Sequence, residues 1–559
     1  FPLPYAMTNC HNSLCAVGGT INEDDHVFGL SAAKKYGGIY VPANQAVIHQ
    51  YAREMMVKCG NMILGSDSHT RYGSLGNMGV GEGGGELVKQ LLKNTWDINA
   101  PEVVLVWLEG APKKGVGPHD VAISLVKATF ESGVVKNKVL EFAGPGVKNL
   151  PIDFRNGIDI MTTETTCLSS IWVTDEEVKH HYEIHERPQD YRELKPGDVA
   201  YYDMMIRIDL STQESMIALP FHPSNAVTIH ELQADPVGIL TRIEEDAKKR
   251  FGDKVDVHLV DKVVDGKVQA DQGIIAGCSG GTYDNLAEAA AILKGNNIGN
   301  DYFTASAYPQ STPVSMAVTR EGITADLIEA GVVMKPAFCG PCFGAGDVPS
   351  NNGLSIRHTT RNFPNREGSK PGQGQLSLVA LMDARSIAAT AANGGVITAA
   401  TDVEYENTHK PYVYDDKIYK CRVYNGFGKA KPETELRYGP NIKDWPKMYP
   451  MQENMLVELA AVIHDPVTTT DELIPSGETS SYRSNPLKLS EFALSRRVPE
   501  YVGLSKEIQK QDLARREGNV SENVAEALKA VGATAENTSF GSCVFANRPG
   551  DGSAREQAA

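Results

Sequence analysis

Cys339-Gly340-Pro341-Cys342 places two thiols three positions apart, and Phe343-Gly344-Ala345-Gly346-Asp347-Val348-Pro349 follows at once. Glycine and proline at that density break a helix, so the pair belongs on a tight loop. Both thiols of such a pair can reach one metal centre. Three readings are open: a redox pair, half of a zinc site, or two ligands of an iron–sulfur cluster. A redox pair needs a helix running on from it, whose N-terminus lowers the thiol pKa, and these flanks argue against one. A zinc site wants a second pair at matching spacing, and the chain has no second Cys-x-x-Cys. It has one isolated cysteine in an equally glycine-rich turn, Gly277-Cys278-Ser279-Gly280-Gly281. Alone, Cys278 reads as a small buried hydrophobe. With the other two it suggests three thiolates from two loops, which would leave one iron of a four-iron cluster without a protein ligand. An open iron acts as a Lewis acid, whereas a fully ligated cluster normally passes electrons.

Composition narrows the class. The 559 residues suggest roughly four domains. A net charge of −16 argues against a nucleic-acid footprint, which needs clustered Lys and Arg. No run reaches the about 18 apolar residues of a membrane span, and Phe1-Pro2-Leu3-Pro4 is not a signal pattern. Nine cysteines at irregular spacing do not make a secreted disulfide framework. A reducing, cytoplasmic setting is therefore expected. The chain starts without Met and ends in a helix-like stretch, which suggests a fragment of a longer protein.

Apolar runs alternate with helical patterns in an α/β rhythm. Met62–Gly65 reads as a strand feeding Ser66-Asp67-Ser68-His69-Thr70. The glycines of 79–84 spell G-x-G-x-x-G, but no clear strand precedes them and Glu82 would repel phosphate, so close loop packing is the expected role. Val103–Leu108 and Val139–Phe142 read as strands, and 120–131 and 237–250 as helices. Residues 175–187 read as a solvated helix carrying His181 and His185 one turn apart. Residues 379–392 read as a helix, and 403–451, rich in Pro and Tyr, as an extended linker around the body. The expected segments are 1–100, 101–265, 266–402 with the cluster cysteines, a linker over 403–461, and a last domain over 462–559.

Taken in order, these motifs resemble the aconitase family of iron–sulfur hydro-lyases. Ile48-His49-Gln50, Asp67-Ser68-His69-Thr70, Met161-Thr162-Thr163-Glu164, Cys278, the Cys339/Cys342 pair, Arg361-Asn362-Phe363-Pro364-Asn365-Arg366, Thr468-Thr469-Thr470-Asp471 with Arg483, and Gly552-Ser553-Ala554-Arg555 carry the likeness. The resemblance implies an α/β fold of three domains around a [4Fe-4S] cluster, with a linker and a truncated swivelling domain. It implies Cys278, Cys339 and Cys342 as metal ligands, and Ser553, His49, Asp67, His69 and Glu164 as catalytic residues. It implies Ser68, Arg361, Arg366, Arg483 and Arg555 as substrate-binding residues. Such arginines match carboxylates bidentately, which suits a di- or tricarboxylate. A monomer without a nucleic-acid or membrane partner is expected.

The chain also departs from the family. His11 and Asn12 stand where the family carries an Asp-His pair. Ile160 and Thr360 stand where it carries asparagines, and Cys278-Ser279-Gly280-Gly281 replaces Cys-Thr-Asn-Ser. Three functions compete: an aconitate hydratase-like enzyme, a related isopropylmalate or homoaconitate hydratase, and a member that has lost catalysis and binds RNA.

Overall fold

The computed structural model describes residues 1–8, 19–252, 256–364, 366, 368–370, 373–466, 468–475, 479 and 481–551. Gln272–Ile275, Gly353–His358 and Ser377–Met382 are buried at every position. Strands buried on both faces belong in the middle of a parallel sheet covered on both sides. These three lie side by side in a seven-stranded sheet. Its order is Ala226–Thr228, Met216–Ala218, Ser377–Met382, Gly353–His358, Gln272–Ile275, Thr304–Ala307, Val333–Met334. The last five are mutually parallel, and the first two are antiparallel at one edge. Helices Tyr283–Leu293 and Ala384–Ala392 share a core with Leu354, Ile356, Leu378 and Ala380.

A second, all-parallel sheet runs Ser169–Trp172, Val139–Ala143, Val103–Glu109, Met204–Asp209. Its core joins Val104, Val106, Leu140 and Phe142 to Val121 and Leu125 of helix Pro118–Thr129. A small parallel pair, Met62–Gly65 with Met78–Gly81, completes the site's scaffold. Residues 216–228, placed in the second segment by sequence, pair in the sheet of the third.

Three local expectations are corrected. Residues 379–392 are not one helix but the end of the Ser377–Met382 strand followed by the Ala384–Ala392 helix, started by the Asp383 side chain accepting from Arg385 N. A fully buried strand reads as an unbroken apolar run, which periodicity cannot tell from a buried helix. The glycine run does lie on a strand, Met78–Gly81, too rich in glycine to show strand propensity. Its packing role is visible: a Cβ on Gly81 would lie 2.4 Å from the Asp67 carbonyl oxygen. His181 and His185 are buried rather than solvated. The His185 ring sits 4.2 Å from that of Tyr414, a contact across more than two hundred residues that no local pattern shows.

Contacts divide the chain into two units, Phe1–Tyr438 and Gly439–Ala559. The tyrosine-rich stretch therefore lies, up to Tyr438, within the first unit. It carries helix Lys417–Arg422 and strand Tyr424–Asn425. Its anchor is Glu54, on the buried helix Ile48–Met55. The Glu54 carboxylate accepts from Tyr419 OH (2.5 Å), Gln50 Nε2 (2.8 Å) and Ser311 Oγ (3.0 Å). Burial lifts that carboxyl to about 7 despite these donors. Glu54→Ala would leave three buried donors without an acceptor. A loss of about 3–5 kcal/mol is expected, read as a lower denaturation midpoint at unchanged slope. In the second unit, Asn454–Ile463 pairs in parallel with Thr538–Ala546, and helix Tyr501–Arg516 packs against them.

Candidate active site

In open α/β sheets, functional groups gather beyond the carboxyl ends of the strands. Four strands deliver them here. Gln272–Ile275 leads into the turn Gly277–Gly280 with Cys278. Val333–Met334 leads towards Cys339 and the turn Gly340–Phe343 with Cys342. Gly353–His358 leads to Thr360 and Arg361, and Met62–Gly65 to Asp67, Ser68 and His69.

The three thiols converge. Cys278, Cys339 and Cys342 are buried in one cluster with Ile160, Ile274 and Tyr308. Gly277 has φ +74°, and a Cβ built on it would stand 2.4 Å from Cys342 Sγ, so the two turns touch. The Cys339 thiol, opposed by burial but helped by the Thr360 backbone, holds the Cys342 thiol down at about 7. Burial, then the nearby Cys342, pushes the Cys278 thiol well up. A cation is what would let both ionise. Among the described residues no three His, Cys, Asp or Glu side chains surround one point closely enough for a single ion. A cluster asks for something else, one sulfur for each of three irons, and this donor set fits that demand.

Two imidazoles stand nearby with opposite tuning. His49 Nε2 lies 3.0 Å from Asp67 Oδ1, and its Nδ1 3.3 Å from Tyr72 OH. Burial lowers the His49 pKa, although Asp67 pulls the other way. His69 Nε2 lies 2.7 Å from Glu164 Oε1, and its backbone N–H donates to Asp67 Oδ1 at 2.8 Å. Burial and the Arg361 charge press the His69 pKa down, but Asp67 and Glu164 outweigh them and it ends above 6.5. Groups pushed apart in this way are suited to separate acid and base roles.

Arg361 locks the pair. Its Nε donates to Glu164 Oε1 at 2.8 Å and its Nη2 to Ser68 Oγ at 3.1 Å. Ser68 is buried, and its carbonyl accepts from Thr163 Oγ1 at 2.9 Å. Arg366 is buried too, and the Phe363 ring lies 5.4 Å from Arg361 Cζ and 6.0 Å from Arg366 Cζ. Burial alone would raise the Glu164 carboxyl, but Arg361 and His69 hold it at about 2.

A pH dependence follows. Glu164 is depressed, so its contribution is full above about 4.5 and fades as pH falls towards 2. His69 is raised, so its contribution is full below 6.5 and fades as pH climbs through its higher folded value. The melting-temperature gap between wild type and Glu164→Gln should therefore be widest between about pH 4.5 and 6.5, worth about 3 kcal/mol, and close towards pH 2.

The structure thus brings together Cys278, Cys339, Cys342, His49, Asp67, Ser68, His69, Glu164, Arg361 and Arg366. Arg483 belongs to the second unit and is exposed. Ser553, Arg555, His11 and Asn12 lie outside the described residues. Sequence reasoning missed Arg53, fully buried, whose Nη1 lies 3.5 Å from the Cys278 carbonyl oxygen. Its signal was its place one turn after His49 on an amphipathic helix. It also missed Arg357, a buried charge next to the end of the wholly buried strand Gly353–His358.

Buried thiols on glycine turns stand beside a carboxylate–imidazole–guanidinium chain. A model of the aconitase family (aconitate hydratase) matches residues 11–389, well over half of the chain, and the chain belongs to that family. It is an aconitase-family hydratase, a lyase. Members of the family generally bind a [4Fe-4S] cluster. Similar proteins include the 3-isopropylmalate dehydratase large subunit of Elusimicrobium minutum, 27% identical over 61% of this chain and 73% of that protein. The mitochondrial homoaconitase of Debaryomyces hansenii is 27% identical over 62% of this chain and 48% of its own length. The mitochondrial aconitate hydratase of Schizosaccharomyces pombe is 27% identical over 63% and 43%. The holo-form of Thermococcus kodakaraensis aconitase X overlaps 66% of this chain and 87% of its own at 12% identity, with a TM-score of only 0.33. No described helix is long and apolar enough to cross a membrane.

Proposed function

We propose that the chain is a [4Fe-4S]-dependent hydro-lyase that removes and re-adds water on a hydroxy di- or tricarboxylate, of the citrate–cis-aconitate–isocitrate type. The observation that carries this reading is the convergence of three buried thiols with the His69–Glu164–Arg361 chain. Cys278, Cys339 and Cys342 would hold the cluster. Bound there, it would supply a Lewis acid at the substrate hydroxyl.

The remaining steps belong to the chain's own residues. Arg361 and Arg366 take carboxylates, since a guanidinium fork matches a carboxylate in two bonds. Arg361 already shares its charge with Glu164, so it orients the substrate more than it neutralises it. His69, kept protonated by Glu164 and Asp67, hands a proton to the departing hydroxyl. His49, held neutral by burial, keeps Asp67 turned towards His69. The family resemblance gives C–H proton abstraction to Ser553, with Arg555 and glycine-turn amides stabilising its alkoxide. The same resemblance gives Arg483 a substrate-binding role.

The test is a panel of alkene di- and tricarboxylates given to protein reconstituted anaerobically with iron and sulfide. Hydration of cis-aconitate is expected, and no hydration of any member would sink the reading. A second reading, an isopropylmalate or homoaconitate hydratase, draws on the stack of Phe130, His222 and Phe363 beside Arg361. That ring wall suits an aliphatic substrate arm, and preference for such an alkene in the panel would decide for it. The setting proposed is reducing and cytoplasmic, with a single chain acting as a monomer. Sedimentation of the purified protein checks the latter.

A further inference from the structure

Arg357 is fully buried, one residue from the end of strand Gly353–His358. Its Nη1 donates to the Pro341 carbonyl at 3.1 Å and its Nη2 to the Asp347 carbonyl at 2.8 Å. These two carbonyls bracket the segment from Cys342 to Gly346. The guanidinium itself is held from the sheet. Its Nε donates to Ser355 Oγ at 2.8 Å, and its Nη2 lies 3.2 Å from Gln272 Oε1. Ser355 Oγ in turn donates to Gln272 Oε1 at 2.8 Å across the strand pair Gln272↔Ser355.

The loop it grips has little stiffness of its own. Gly344 and Gly346 sit at φ +84° and +77°. Glycines lose more conformational freedom on folding than other residues, so such a loop keeps one shape only if something outside fixes it. A planar, always-charged fork does this where a single ammonium could not.

We propose that Arg357 is a positioning residue of the cysteine loop: it clamps the carbonyls on either side of Cys342 and so keeps Cys339 and Cys342 turned towards Cys278. This rests on the reading that the three thiols hold the cluster. It adds a determinant that lies outside every motif by which the family is recognised in this sequence.

The test is mass-resolved alkylation of the metal-free full chain under reducing conditions, comparing wild type with Arg357→Lys and Ser355→Ala. Lysine keeps the charge and loses the fork, while Ser355→Ala keeps Arg357 and loosens its plane. Buried thiols label through local opening, so Cys339 and Cys342 should label about tenfold faster in Arg357→Lys and about threefold faster in Ser355→Ala. Cys59 and Cys167, equally buried in other cores, should keep their wild-type rates. A general structural defect would instead speed all four. Unchanged rates at Cys339 and Cys342 in both variants, or an equal rise at all four in both, overturns the proposal. Should Arg357→Lys fail to fold and label everywhere, Ser355→Ala decides alone. On loaded protein, Arg357→Lys should also lose iron to a chelator faster. If wild type takes up no iron and sulfide, the hydratase reading fails while the alkylation pattern still decides what Arg357 does.

Discussion

Glu164→Gln should lower the hydration turnover of the reconstituted enzyme by about 10²–10⁴-fold, the range a positioned acid or base supplies. Glutamine keeps the shape and an acceptor oxygen. It removes the charge that holds His69 protonated and that Arg361 Nε meets at 2.8 Å. The imidazole should then titrate below its present raised value. The alkaline limb of the pH–rate profile should move towards acid, while iron content stays at the wild-type level. A variant that kept both its turnover and its pH limb would remove His69 and Glu164 from the mechanism.

Gly277→Ala should cost most of the cluster. The position has φ +74°, a conformation that L side chains rarely adopt, and the added methyl would lie 2.4 Å from Cys342 Sγ. One of the two turns must move, and the sulfurs with it. Iron per chain should fall to about a tenth of wild type or less, since misplaced ligands of a metal site cost affinity steeply. Gly295→Ala is the control. Its φ is +76°, but nothing stands within 4 Å of an added Cβ, so it carries the backbone strain without the clash. Gly295→Ala should keep its iron. Equal iron in both variants would mean that the contact between the turns does not matter.

The parts of the site legible in the sequence were those whose chemistry is local. Three cysteines in glycine bends and an Asp-Ser-His-Thr loop after a short apolar run announce themselves, because both loop geometry and donor type are written in neighbouring residues. What stayed hidden depends on distant partners. Nothing near Glu54 indicates that Tyr419, more than three hundred and sixty positions on, supplies its hydrogen bond. His185 likewise packs against rings of the same later stretch, Tyr412 and Tyr414. Residues 379–392 were misread because an all-apolar run lacks the period that separates strand from helix. Arg357 was passed over because the carbonyls it binds, of Pro341 and Asp347, belong to the loop that carries two of the cysteines, 16 and 10 positions before it.

The most direct test is iron and acid-labile sulfide per chain in protein prepared without oxygen, for wild type and for Cys278→Ser, Cys339→Ser, Cys342→Ser and Cys59→Ser. Wild type and Cys59→Ser should hold iron and sulfide in about equal amounts, and each of the other three should hold little of either. A wild type without sulfide, or a cluster that survives the loss of any one of those three sulfurs, would contradict the account.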